Sequence, residues 1–151
     1  MNTPEVIDVL NDLIETCKDG EFGFGASAEQ AKSSSLRANL LARAASCATA
    51  ADQLRARVVE LGGKPEHSGS AAGALHRGWV AAKAKLSTFD DLAVLEECER
   101  GEDVALRSYR DALEQELPAP IRNLVQRQYE GAKQNHNDIR RLRDSLRATH
   151  S

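Results

Sequence analysis

Apolar residues recur every three or four positions through four long stretches of the chain, the spacing that places side chains on one face of an α-helix. These stripes lie within residues 4–31, 36–61, 92–113 and 121–146. β-branched residues are few, whereas Ala, Leu, Glu and Arg are frequent, and this composition favours helix over sheet. The pattern therefore predicts an all-α protein with four long helices.

Capping and helix-ending residues predict where these helices begin and end. Thr3 is expected to cap the first helix, with Pro4 in its first turn. The third helix is expected to run from about Phe89 to Leu117, because prolines follow at positions 118 and 120. A connection this short predicts that the fourth helix folds back antiparallel to the third.

A long crossover, residues 62–88, separates the second and third helices. A Gly-Gly pair and a proline at its start end the second helix. A shorter amphipathic helix is expected within the crossover, from about Ser70 to Leu86, and Trp79 is expected to anchor it across the bundle. The length of 151 residues is that of one domain, so residues 1–151 are expected to share a single core.

Polar residues interrupt all four stripes near their centres. A carboxylate is rarely buried without a partner or a metal, because removing a charge from water is costly. Four unrelated surface positions would not be expected to align at the same height, so the interruptions predict one buried or partly hydrated polar layer across the bundle. The residues concerned are Glu21, Asp52, Arg55, Glu99, Glu102, Gln128, Tyr129, Asn135 and His136.

The net charge and the cysteine content limit which binding partners and which cellular compartment are expected. The net charge is -3 and no apolar run approaches the ~18 residues of a membrane span, so neither nucleic acid nor a membrane is expected as a partner. The N-terminal segment is acidic and lacks a signal-peptide core. Three widely spaced cysteines form no disulfide framework, and a cytoplasmic location is therefore expected.

The signs of the charges differ between helices. The first and third helices are acidic, whereas residues 122–151 carry seven basic and three acidic side chains. Alternating acidic and basic neighbours would help to set which helices pack together.

Four segments, in order along the chain, resemble an uncharacterised bacterial family. They are NDLIETCKDGEFGF, GALHRGW, ECERGED and HNDIRRLRD, which begin at residues 11, 73, 97 and 136. The family is one of four-helix bundles of unknown function placed in the ferritin-like superfamily. The resemblance spans nearly the whole chain and implies a ferritin-like bundle of two antiparallel helix pairs joined by the long crossover, in agreement with the pattern of apolar stripes.

Better-known members of that superfamily carry a di-iron or di-manganese site built from two glutamates and two E-x-x-H pairs. No E-x-x-H occurs in this sequence. Instead D-x-x-R stands at Asp52 to Arg55, and E-x-x-K stands at Glu130 to Lys133. An Arg or Lys can pair with a carboxylate but is not an ordinary metal ligand, so the inherited site is expected to be absent or rebuilt.

The first functional hypothesis is a non-catalytic bundle with a binding or stress-related role and no cofactor. Its polar layer would be an internal network that satisfies the charges of the central glutamates. In that network Glu21, Glu99 and Glu102 would be partnered by Arg55, Gln128, Tyr129, Asn135 and His136. No Ser/His/Asp or Cys/His arrangement follows from local spacing, so an enzyme is not the expected class.

The alternative hypothesis is a divergent metal-binding protein with a redox or storage role. Carboxylates together with one imidazole suit iron, manganese or zinc. The candidate ligands are Glu21, Asp52, Glu99, Glu102 and His136. A third hypothesis is an adaptor or homo-oligomeric scaffold that binds a protein partner through the exposed charged faces.

Overall fold

The computed structural model describes residues 1–66 and 90–150, and these residues form four α-helices and no strand. The helices are α1 (Thr3–Gln30), α2 (Ser34–Glu60), α3 (Asp91–Leu113) and α4 (Ala119–His150). The prediction of an all-α four-helix bundle is confirmed. The helix expected within the crossover, with Trp79, lies outside the described residues.

The helix ends differ from their predicted positions by a few residues. Asn2, not Thr3, caps α1: its side chain accepts a hydrogen bond from the Glu5 N–H at 2.9 Å, and the Glu5 carboxylate accepts one from the Asn2 N–H at 3.2 Å. The third helix starts at Asp91 and ends at Leu113, four residues before the predicted end. Proline at position 118 disfavours helical geometry in the residue before it, and the chain unwinds over the preceding turn.

Hydrogen bonds at both ends of the bundle define its topology. Near the α1–α2 turn, the Asp91 carboxylate accepts from the N–H groups of Lys32 and Ser33 at 2.7 and 3.0 Å. At the opposite end, the Asn11 amide bonds to the backbone of residues 64 and 66 at 3.1 and 3.0 Å. Residues 66 and 90 therefore lie at opposite ends of the bundle. Helices α2 and α3 run parallel, whereas α1 is antiparallel to α2 and α3 is antiparallel to α4.

The helices do not contact one another equally. The first helix packs along both α2 and α3, and α3 packs along α4, whereas α2 and α4 make only sparse contact. The two antiparallel pairs are thus joined mainly through α1 and α3.

The apolar core is divided into two clusters along the bundle axis. One contains Leu10, Ile14, Leu54 and Val125, and the other contains Phe24, Leu40, Leu95 and Ile139. On every helix the two clusters are separated by several residues, and on α3 this gap runs from 99 to 105. The gap is the mid-height layer that the sequence predicts to be polar.

Ion pairs join the acidic third helix to the basic fourth helix. Arg143 pairs with Glu99, and Arg147 approaches Glu96 at 3.4 Å. Among the described helices, none combines the length and apolar character that crossing a membrane requires.

Candidate functional site

A buried ion pair occupies the layer between the two apolar clusters. Glu102 of α3 has a side chain that is only 1% exposed, and its Oε1 accepts a hydrogen bond from Arg43 Nε of α2 at 2.9 Å. The Arg43 guanidinium also lies over the Phe24 ring, 5.5 Å from its centroid. The second oxygen of Glu102, Oε2, is buried and has no hydrogen-bond partner among the described residues.

A hydrogen-bond chain lies next to this layer, within the first apolar cluster, and reaches α4. The Tyr109 hydroxyl donates to Gln128 Oε1 at 2.9 Å, and Cys17 Sγ lies 3.3 Å from the same hydroxyl. Because the hydroxyl proton is given to Gln128, the Cys17 thiol is the donor in the second bond. Gln128 Nε2 in turn donates to the Ala50 carbonyl at 3.2 Å and to the Gln53 side chain at 3.0 Å. This chain connects α1, α3, α4 and α2.

A pocket of about 550 Å³ adjoins the ion pair and the hydrogen-bond chain. Its walls come mainly from α1, α2 and α3 and are predominantly apolar. The residues with hydrogen-bonding or ionisable groups that line it include Cys17, Arg43, Cys47, Cys98, Glu102 and Tyr109. Its volume falls in the range of pockets that hold small organic molecules, roughly 300 to 1,000 Å³.

All three cysteines of the chain lie in this pocket as free thiols. Burial raises the pKa of the Cys47 thiol and of the Cys98 thiol to about 12, and it also raises the pKa of Cys17. The thiols therefore stay protonated near neutral pH. A protonated thiol is a poor nucleophile and a poor metal ligand, so these side chains act as small apolar wall groups with weak S–H donors.

Two of the candidate site residues lie away from the buried pair. Glu21 is half-buried and pairs with Lys18 on its own helix. Asp52 is 73% exposed and pairs with Arg55 at 2.6 Å, while Arg55 Nε also donates to the backbone carbonyl of residue 66 at 3.0 Å. The E-x-x-K segment likewise forms an exposed pair, with 3.1 Å between Glu130 and Lys133. None of the four charged residues of these two segments lines the pocket.

The polar candidates on α4 have separate environments. Gln128 belongs to the hydrogen-bond chain described above. Asn135 is half-buried, and its Nδ2 has no hydrogen-bond partner among the described residues. Tyr129 contributes a ring contact, with its centroid 6.4 Å from that of Tyr109.

A second group of ionisable side chains lies where α3 meets α4. His136 Nε2 is 2.7 Å from Asp103 Oδ1, and Glu99 is one helical turn before Asp103. One ligand atom from each of the three residues lies within 4.8 Å of the others. In the part of the chain that the structure describes, this is the one group of three or more histidine, cysteine or acidic side chains with converging ligand atoms.

The sequence patterns did not single out Arg43 or the buried Glu97. Arg43 stands three residues after Leu40 and four before Cys47, so it satisfies the helical spacing of the second stripe. The predicted apolar stripe includes Ala44 at that turn because alanine is apolar, and the structure shows Ala44 half-buried. Glu97 precedes the buried Cys98 and is only 3% exposed, with Arg100 at 3.3 Å. The spacing of Arg43 indicates a buried position, but a charged residue is not expected in an apolar stripe.

The sequence carries a family signature over most of its length. A family described as Domain of unknown function (DUF2383) matches residues 5–115. The chain belongs to this family. The resemblance to an uncharacterised family of bundles is thereby confirmed, and no curated protein matches the chain in sequence.

Solved structures share the fold of this DUF2383 member. A dodecameric thioferritin, the bacterioferritin-related protein of Bacteroides fragilis, superposes with a TM-score of 0.79 at 14% identity, covering 99% of this chain and 91% of that one. A mutant of Mycobacterium smegmatis Dps1 gives 0.77 at 13% identity, covering 93% and 96%. A ferritin-like, diiron-carboxylate protein of Bacillus anthracis gives 0.72 at 16% identity, covering 95% and 99%. These similarities confirm the ferritin-like fold.

A di-metal centre of the superfamily type does not fit the described residues at mid-bundle. Such a centre needs several carboxylates and two histidines facing inward. The described carboxylates buried here are Glu97 and Glu102, and each has an arginine within 3.3 Å or less. The two arginines offset the charges of the two carboxylates, which leaves no net negative charge to attract two cations. The only described histidine side chain, His136, belongs to the separate α3–α4 group.

Proposed function

We propose that this protein is a non-catalytic binding bundle whose mid-height pocket takes a small, largely apolar molecule that carries a hydrogen-bond donor. The proposal rests on one carboxylate oxygen of Glu102. Its Oε2 is buried, has no hydrogen-bond partner among the described residues, and belongs to a residue that lines the pocket. A buried acceptor left without a donor costs about 1–3 kcal/mol, and a ligand that supplies the donor recovers that free energy.

The walls of the pocket support an apolar body for the ligand. Side chains of Phe24, Val104 and Ala105 and the three protonated thiols line it, so most contacts are apolar. An apolar ligand body that packs on these side chains gains the free energy of leaving water. Arg43 already donates a hydrogen bond to the other oxygen of Glu102. The ion pair therefore has no net charge and suits a ligand with an alcohol, amide or amine donor.

The absence of an activated nucleophile at this pocket supports a binding role over catalysis. The thiols of Cys47 and Cys98 have pKa values raised to about 12 by burial, so neither is poised as a thiolate at neutral pH. Burial also raises the pKa of the Tyr109 hydroxyl, which keeps it a proton donor to Gln128. Among the described residues lining the pocket, no histidine is available as a general base.

Benzyl alcohol, benzylamine and toluene are suitable probes, because they share a body and differ in the donor. We expect ligand-observed NMR to show binding of the alcohol or the amine, with toluene weaker. Ala105→Phe places a ring in the pocket and should abolish binding. Ala42→Phe adds the same side chain at an exposed position outside the pocket and should preserve it. Binding that survives Ala105→Phe, or no binding of any probe, would contradict the proposal.

We also propose that the chain forms a homo-oligomer. The B. fragilis thioferritin that shares its fold is dodecameric. Support from this chain comes from large apolar side chains left more than half exposed, among them Leu41, Val59 and Val104. Sedimentation velocity should give a mass that is a multiple of 16.4 kDa, and a monomer at all concentrations would contradict this part.

A further inference from the structure

We infer that Glu99, Asp103 and His136 form a binding site for one divalent transition-metal cation at the α3–α4 junction. The site is distinct from the mid-bundle pocket and from the interior position that the superfamily uses. It combines two carboxylates from one helix with one imidazole from the next, and a ligand atom of each lies within 4.8 Å of the others. Oxygen and imidazole ligands in this combination suit zinc, manganese or iron.

The backbone brings these ligands together on rigid elements. Glu99 and Asp103 are four residues apart, so they lie on one face of α3, one turn from each other. His136 projects from the antiparallel α4, with Nε2 already 2.7 Å from Asp103 Oδ1. A cation therefore requires small side-chain adjustments and no movement of the helices.

Burial separates this group from an ordinary cluster of surface acids. The side chains of Glu99 and His136 are only 18% and 15% exposed, whereas Asp103 is 54% exposed. The two inner ligands are thus shielded from bulk water, and the outer carboxylate leaves a path by which a cation can enter. Three protein ligands also leave coordination positions open for water.

Arg143 reduces the net negative charge of the site. It pairs with Glu99 Oε2 and also bonds to Asp144 at 3.1 Å. Arg143 can therefore keep its place while Glu99 turns its other oxygen, Oε1, to the cation. Glu99, Asp103 and Arg143 together carry one net negative charge, which favours a divalent cation.

The test is titration of the full reduced chain with Co²⁺, followed by visible absorption and equilibrium dialysis. We expect one bound Co²⁺ per chain, with d–d bands and no thiolate-to-cobalt charge-transfer band. His136→Gln and Asp103→Asn should each weaken binding by about tenfold or more, because each removes a ligand. Asp138→Asn, which changes a carboxylate on α4 outside the group, should leave the affinity unchanged.

Other outcomes would overturn the inference. Binding that is unchanged in His136→Gln, or a charge-transfer band that reports thiolate ligands, would place the cation elsewhere. No binding to the parent chain would exclude the site. The more exposed Asp103 makes Asp103→Asn the safer variant if His136→Gln fails to fold. None of these results depends on the mid-bundle pocket, so the two proposals stand or fall separately.

Discussion

Arg43 of α2 and Glu102 of α3 are joined across the interior of the bundle, with 2.9 Å between Nε and Oε1. The two residues belong to different helix pairs, and the helices that carry them run parallel. Their contact therefore fixes the axial position of one pair relative to the other. A buried ion pair adds little net stability, but it penalises every register in which the charges miss each other.

Replacing Arg43 should show how much the buried ion pair contributes to the free energy of unfolding. Arg43→Met should lower the free energy of unfolding by about 3–5 kcal/mol, because Glu102 is left buried without its partner. Urea unfolding measured by circular dichroism gives this difference. Arg57→Met is the matched control on the same helix. Its pair with Glu60 is exposed and should contribute about 0–1 kcal/mol. Equal losses in the two variants would contradict the importance of the buried pair.

The Tyr109 hydroxyl is expected to stabilise the bundle through its two hydrogen bonds. Tyr109→Phe removes the donor to Gln128 and the acceptor for Cys17, so the free energy of unfolding should fall by about 1–3 kcal/mol. Thermal and urea unfolding measure the change. Tyr129→Phe is the control, since that hydroxyl makes no hydrogen bond to another described residue. A comparable loss in both variants would show that the two hydrogen bonds of Tyr109 are not the cause.

Two glycines of α1 should respond differently to replacement by alanine. A methyl group at Gly20 would come 2.8 Å from Cys47 Sγ, whereas one at Gly25 would meet nothing within 4 Å. Gly25→Ala should stabilise by about 1 kcal/mol through helix propensity. In Gly20→Ala that gain should be offset by about 0.5–1.5 kcal/mol or more of rotamer strain in Cys47.

A double variant checks this cause. Cys47→Ala removes the sulfur, so adding Gly20→Ala to that background should restore the gain of about 1 kcal/mol. Equal effects of Gly20→Ala with and without Cys47 would show that the sulfur is not the obstacle.

The buried thiols predict a loss of stability in alkali. Burial raises the pKa of Cys47 and Cys98 from 9.0 to about 12. Above about pH 9 the unfolded chain releases these protons while the folded chain retains them. Their stabilising contribution is therefore complete below about pH 9 and is lost as the pH rises towards about 12. Urea unfolding at about pH 8 and about pH 11 should show the fall. Cys47→Ala should make it shallower, and an unchanged slope would contradict the assignment.

The sequence predicted the fold because apolar spacing and helix-ending residues are local signals. The stripes on the four helices, the turn before α4 and the long crossover all follow from residues near one another in the chain. A polar layer at mid-height was also predictable, since Glu102 interrupts an apolar stripe and the structure buries it.

The partners within that layer were not predictable in the same way. Arg55 was expected to neutralise the central glutamates, yet it pairs with Asp52 at the surface. Arg43 takes that place because it lies on the face of α2 that is turned towards Glu102. Helix rotation is set by the packing of all four helices, and a difference of one residue turns a side chain by about 100°. Asp103 was missed for a related reason, because it lies beside the stripe and meets His136 only across the α3–α4 interface.

The sparse contact between α2 and α4 has a mechanical consequence. Three well-packed interfaces connect the helices in the order α2, α1, α3, α4, and among residues 1–66 and 90–150 the fourth side, between α2 and α4, has few contacts. A displacement of α2 from α4 would meet little resistance from the described contacts between these two helices. It would stretch the bonds of Gln128 to Ala50 and Gln53 while sparing both helix hairpins. Those bonds therefore help to set the width of the interior between α2 and α4.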